Sequence, residues 1–74
     1  MKTIKISDVF LENGYVYVRP ISGTYEHIYR AAKGVYWDND KGCLFYKGFV
    51  SREDALRFVF EAMQQEYGIT LIYC

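Results

Sequence analysis

The chain has one proline, one histidine, one tryptophan and two cysteines among its 74 residues, and its formal net charge at pH 7 is zero. Each scarcity closes off a class of function. Cys43 and Cys74 are too few for the disulfide framework of a small secreted domain, and they read as reduced thiols, one in a strand and one at a chain end. Nine basic residues are matched by nine acidic ones. The chain therefore has neither the positive excess of a duplex-binding domain nor the acidic excess of a DNA mimic. No apolar run reaches the roughly 18 residues of a membrane span, and Met1-Lys2-Thr3-Ile4-Lys5 lacks an apolar leader. The expected compartment is the cytoplasm, with no membrane attachment.

Reaction chemistry is equally sparse. His27, Cys43 and Cys74 have none of the short pairwise spacings that build a tetrahedral metal site, so no metal and no cofactor is expected. His27 falls on the solvent side of a predicted helix, and no signature surrounds either cysteine, which argues against a Cys–His nucleophile. Asp38-Asn39-Asp40-Lys41-Gly42 invites a calcium reading, but the positions an EF-hand loop fills with Gly and Glu hold Cys43 and Phe49 here. A hairpin turn accounts for the same residues. The glycines fall singly at turns and helix ends, without a phosphate-cradling cluster. The chain reads as a non-enzyme.

Apolar and aromatic surface is abundant. Hydrophobic residues make up 51% of the chain and aromatics 19%, including eight Tyr and five Phe. Each large ring buries about 150–250 Å², so residues 1–74 can build one core, with no room for a second.

The strongest local signal is Asn13-Gly14 between alternating apolar residues, which predicts a type I′ hairpin. In that register Leu11 faces Val16 and Val9 faces Val18 on one side. Phe10 faces Tyr17 and Asp8 faces Arg19 on the other, and every pair is chemically matched. Ile4 and Ile6 have the opposite parity to Val9 and Leu11, which places a bulge near Ser7. After Pro20, a short helix is predicted over residues 24–33, with Gly34 just past its end. A second hairpin follows, from Val35-Tyr36-Trp37 to residues 43–47. Ser51 then caps a longer helix over residues 52–66, with Leu56, Val59, Phe60, Met63 and Tyr67 as its buried stripe. Gly68 stops that helix before a last strand from Ile69 to Tyr73. The expected fold is α+β, in the order ββαββαβ. It has a largely antiparallel sheet of about five strands and two helices packed on one face.

This arrangement leaves rings on the uncovered side. Phe10, Tyr15 and Tyr17 alternate away from the helices with Asp8 and Arg19, and Phe45 and Lys47 join them from the fourth strand. Phe58 projects among Asp54, Arg57, Glu61 and Gln65, opposite the predicted stripe. These seven residues, Phe10, Tyr15, Tyr17, Arg19, Phe45, Lys47 and Phe58, are the expected contact surface. Cross-strand ring pairs also stabilise a sheet without any partner.

Val16-Tyr17-Val18-Arg19-Pro20-Ile21 and Lys41-Gly42-Cys43-Leu44-Phe45-Tyr46 resemble the two signature strands of RNA-recognition-motif domains. That resemblance implies a ferredoxin-like sheet on which Tyr17 and Phe45 stack bases of single-stranded RNA or DNA. It departs where Cys43 stands for an aromatic and Leu44 for a small residue, and the tight hairpin occupies an edge that such a sheet fills otherwise. The leading expectation is a non-catalytic protein-interaction module: a small adaptor, an inhibitor or a homo-oligomeric accessory protein. Such a module binds a protein partner or itself. Single-stranded nucleic-acid binding is the alternative.

Overall fold

In the computed structural model, which describes residues 2–73 (of Tyr73, the backbone alone), Asn13 and Gly14 take φ values of 54° and 84°. Positive φ at both turn centres gives the type I′ geometry, whose twist matches that of the flanking strands. The turn joins β1 (Lys2–Glu12) to β2 (Tyr15–Pro20). The pairing is the predicted one: Val9 faces Val18, Leu11 faces Val16, Phe10 faces Tyr17 and Asp8 faces Arg19. The register shifts between Ile6 and Asp8, where the bulge was expected, and the Ser7 hydroxyl donates to the Arg19 carbonyl at 3.1 Å. The shift brings Ile4 and Ile6 into the same core as Val9 and Val18, which an unbroken strand would forbid.

β3 (Val35–Asp38) and β4 (Cys43–Tyr46) form the second hairpin. Its turn is held by Asp38, whose carboxylate accepts the backbone N–H groups of Asp40 and Lys41 at 3.0 and 3.1 Å. That carboxylate is occupied by its own turn, as the hairpin reading of this loop requires. Ser51 caps α1 (Arg52–Tyr67) by accepting the Asp54 N–H at 3.2 Å. Gly68 closes it at φ 65°, and β5 (Ile69–Tyr73) follows.

The protein is α+β, with the expected sheet of five strands in which three of the four pairings are antiparallel, and it departs from the expected architecture in its helices. The sheet is mixed, in the order β3-β4-β2-β1-β5, because β5 runs parallel to β1. β4 therefore points the same way as β5, and α1 carries the chain between them across β2 and β1, as parallel strands require. Among the described residues there is one α-helix rather than two, so the expected ββαββαβ order loses its first helix. Residues 24–33 make only a short 3-10 turn over Ile28–Ala31, ended by Ala32 in the left-handed region at φ 57°. Tyr25, His27, Ile28 and Tyr29 are poor helix formers because their side chains lose rotamer freedom against the preceding turn. A segment this short does not nucleate unaided. Side-chain bonds hold it instead, one local and one tertiary: the Tyr25 hydroxyl donates to the Ser22 carbonyl at 2.9 Å and the His27 N–H donates to the Tyr67 hydroxyl at 3.1 Å.

Val18, Ile28, Leu44, Val59 and Met63 are fully buried between sheet and helix. The buried stripe of α1 is Ala55, Val59, Ala62 and Met63, rotated from the predicted one toward the two alanines. Their small side chains let the helix lie close to the sheet. The rotation brings Phe58 inward. Its ring stacks on Tyr46 with centroids 4.8 Å apart and packs against the core. Phe58 is thus not the outward-facing ring its charged neighbours suggested; it sits one turn from both Ala55 and Ala62, on the side that approaches the sheet.

Candidate functional site

The face of the sheet away from α1 carries an aromatic row across four strands. Phe10 of β1 stacks on Tyr17 of β2 at 5.2 Å, Tyr17 meets Phe45 of β4 at 5.2 Å, and Phe45 meets Tyr36 of β3 at 6.1 Å. Tyr15 approaches Phe45 at 5.9 Å. These contacts follow from alternation: in the observed register, Phe10 with Tyr17, Tyr17 with Phe45 and Phe45 with Tyr36 are direct cross-strand neighbours.

Three cations lie over the row. The Arg19 guanidinium is 5.4 Å from the Phe10 centroid, the Lys41 ammonium 5.5 Å from Tyr17, and the Lys47 ammonium 5.6 Å from Tyr36. Arg19 also pairs with Asp8 at 3.3 Å, and Lys41 pairs with Glu12. The hydrogen bond from Lys41 to Glu12 raises the lysine's pKa. Under this lid Tyr17 is only 6% exposed. Burial, reinforced by the charge of Asp38, raises the Tyr17 hydroxyl above its ordinary range.

The structure thus gathers Phe10, Tyr15, Tyr17, Arg19 and Phe45 on one face and adds Lys47 beside Tyr36. Phe58 lies on the opposite side of the sheet, under α1. The centre of the row is closed: a base stacking on Tyr17 must first open the Lys41–Glu12 pair. Phe10 is half-buried against Tyr17, and Tyr15 and Phe45 are half-buried against each other.

The two most exposed large apolar residues, Phe49 and Leu11, lie elsewhere. At the tip of the β1–β2 hairpin the core-side face is covered unevenly: Val16 is buried, but Leu11 opposite it is not. Leu11 there is 70% exposed, and across from it Phe49 and Val50 of the β4–α1 connection are 78% and 42% exposed. Between them runs a groove of about 750 Å³ whose walls also include Val9, Phe10 and Val16. Phe49 is held in place by stacking on Tyr15 at 5.3 Å. Its ring edge lies against Gly14, so close that a Cβ there would be 2.7 Å from Cε1. Sequence reasoning missed this groove because Gly48-Phe49-Val50 has no strand or helix period. The available signal was compositional: two large apolar residues stand in a connection between a glycine and a helix cap, where polar residues are usual.

The groups with reactive potential lie outside both surfaces. Burial raises the Cys43 thiol above its ordinary pKa of 9.0, the opposite of the shift that activates a thiolate. Among the described residues no three of His, Cys, Asp and Glu gather in a way that could hold a metal ion. Cys74 lies outside the described residues.

The family model described as Integron Cassette Protein Hfx_Cass5 matches residues 4–74. No curated protein and no solved structure matches the chain.

Proposed function

The chain belongs to the family described as Integron Cassette Protein Hfx_Cass5, and we propose that it is a non-catalytic protein-interaction module that grips its partner with the groove at the hairpin tip. The observation that carries this reading is the convergence of Leu11, Phe49 and Val50, all exposed, on a single groove. Contiguous apolar surface of this kind marks contact sites on small proteins. Covering a side chain such as Leu or Phe contributes about 1.5–3 kcal/mol, so two such anchors make a serviceable hot spot. The site is also rigidly presented, by a type I′ turn on one side and by the Tyr15–Phe49 stack on the other. Among the described residues no helix is long and apolar enough to cross a membrane, and a reduced, buried Cys43 suits a partner met in the cytoplasm.

Nucleic-acid binding through Tyr17 and Phe45 draws weaker support, because Tyr17 is covered and Arg19 and Lys41 are already engaged by carboxylates. The test is comparative. Proteins retained from the native host by the wild-type chain are identified, and their affinities are remeasured with Leu11→Asp and Phe49→Ala. Losses of roughly tenfold or more for both variants, with unchanged circular dichroism, support the reading. Retention of every partner at wild-type affinity refutes it, and a loss seen only with Tyr17→Ala, on a short oligonucleotide, supports the alternative.

A further inference from the structure

We propose that the chain forms a two-fold dimer through β5, with α1 of each copy lying along the flank of the other's. β5 is an edge of the sheet. Its five residues, Ile69-Thr70-Leu71-Ile72-Tyr73, include no charge, no proline and no glycine, and it pairs with β1 over all five without a break in register. Strand edges like this are templates for another strand, and monomeric proteins guard them with lysine, proline or a bulge. The opposite edge, β3, is shorter at four residues and ends on Asp38. β5 carries no such guard. An antiparallel copy of β5 is its natural complement, since a two-fold contact presents the same patch from both sides.

The helix beside this edge supplies a second, independent observation. Between α1 and β5 lies a groove of about 470 Å³, walled by Leu56, Phe60 and Leu71 and rimmed by Glu53, Arg57 and Glu61. Leu56 and Phe60 were expected in the buried stripe; the rotation toward Ala55 and Ala62 leaves them on this flank, only partly buried. A lone added strand would satisfy the edge and leave the flank open. A second copy covers both, because the rotation that pairs β5 with β5 also lays α1 beside α1. The charges agree with that choice. Glu53, Arg57 and Glu61 are spaced four apart, so they form one stripe of alternating sign. Two such stripes running antiparallel, and crossing midway between positions 57 and 61, set Arg57 of each copy against Glu61 of the other. Arg57 now pairs with Asp54 of its own chain, at 3.3 Å in an exposed pair, and lies over the Phe58 ring at 5.2 Å; exposed pairs exchange at little cost.

This surface is separate from the hairpin-tip groove, and the two readings fail separately. Sedimentation equilibrium of the full chain under reducing conditions is expected to give twice the 8.7 kDa chain mass at micromolar concentration. Arg57→Glu, an exposed change that leaves the fold intact by circular dichroism, weakens the dimer by roughly tenfold or more. The double variant Arg57→Glu/Glu61→Arg restores it, because the alternation is rebuilt with the signs exchanged. Ile72→Lys, which guards the edge directly, also dissociates the dimer, whereas Leu11→Asp leaves it unchanged. A chain that stays monomeric up to about 1 mM overturns the proposal whatever else binds the edge. So does a dimer indifferent to Arg57→Glu, a double variant that fails to recover, or a dimer that Leu11→Asp dissolves.

Discussion

Replacing Gly14 with alanine tests the backbone of the hairpin and the wall of the groove in one step. Gly14 sits at φ 84°, where a side chain costs about 1–2 kcal/mol. Alanine returns about 0.4–1 kcal/mol of that by restricting the unfolded chain, which leaves a backbone cost of about 1 kcal/mol. The added Cβ would also lie 2.7 Å from Cε1 of Phe49, so the ring must swing away. Phe49 is 78% exposed, so no core packing opposes that movement, but the ring gives up the stack on Tyr15 that holds it in place, worth about 0.5–1.5 kcal/mol. Gly14→Ala should therefore destabilise by about 1.5–2.5 kcal/mol in urea unfolding. For a domain of this size that lowers Tm by about 4–8 °C per kcal/mol. Phe49→Ala separates the two parts: in that background Gly14→Ala should cost only the backbone share, about 1 kcal/mol. If the whole cost vanishes there, the ring contact carries it and the positive-φ argument fails. If neither background shows a cost, the turn does not have the geometry described.

Two further outcomes follow from the packing and the titratable groups. Phe58→Ala removes a ring stacked on Tyr46 and packed against the core, and should destabilise by about 2–3 kcal/mol, less than a fully buried phenylalanine; a change within about 0.5 kcal/mol in a denaturant melt would mean that the ring is a surface residue after all. The shifts of Cys43, Tyr17, Tyr25 and Lys41 are all upward, from ordinary values of 9.0, 10.0, 10.0 and 10.5, so the folded state holds these protons more tightly than the unfolded one. Stability is then fully present below about pH 9, where both states keep them, and is lost as pH rises through the folded-state values. Unfolding midpoints that stay level or climb through the tyrosine range would contradict the burial of Cys43, Tyr17 and Tyr25 and the Lys41–Glu12 hydrogen bond.

The parts of the fold legible in the sequence are those whose cause is local. Asn13-Gly14 dictates a turn and with it the register of five paired positions from Asp8 to Glu12. Ser51 and Gly68 mark the ends of α1 because capping is a property of a few adjacent residues. The parity change at Ser7 exposes a bulge without reference to the rest of the chain. The parallel pairing of Ile4 with Leu71 has no local cause, since nothing in either segment names the other as neighbour. The rotation of α1 was hidden for a different reason: alanine adds little to a hydrophobic pattern, yet its smallness decides which side of the helix approaches the sheet. The same limits apply to surfaces. The aromatic row is a consequence of alternation and could be anticipated residue by residue. Its closure by Lys41 and Glu12 depends on the second hairpin folding back over the first. The groove at the tip depends on where Phe49 comes to rest, in a segment that follows no period.

The divided loyalty of β1 also bears on how the chain assembles. Residues 8–12 pair across a turn of two residues, while residues 2–6 are joined to residues 69–73, so one strand spans the shortest and nearly the longest loop closure available. Turn-closed hairpins form in microseconds, whereas distant partners wait until the intervening chain is ordered. The bulge at Ser7 is thus a seam in time as well as in register. On its far side the early hairpin leaves a half-strand of Lys2, Thr3, Ile4, Lys5 and Ile6 with an open flank until β5 arrives. The two lysines in that half-strand are well placed to keep it from joining another chain in the interval.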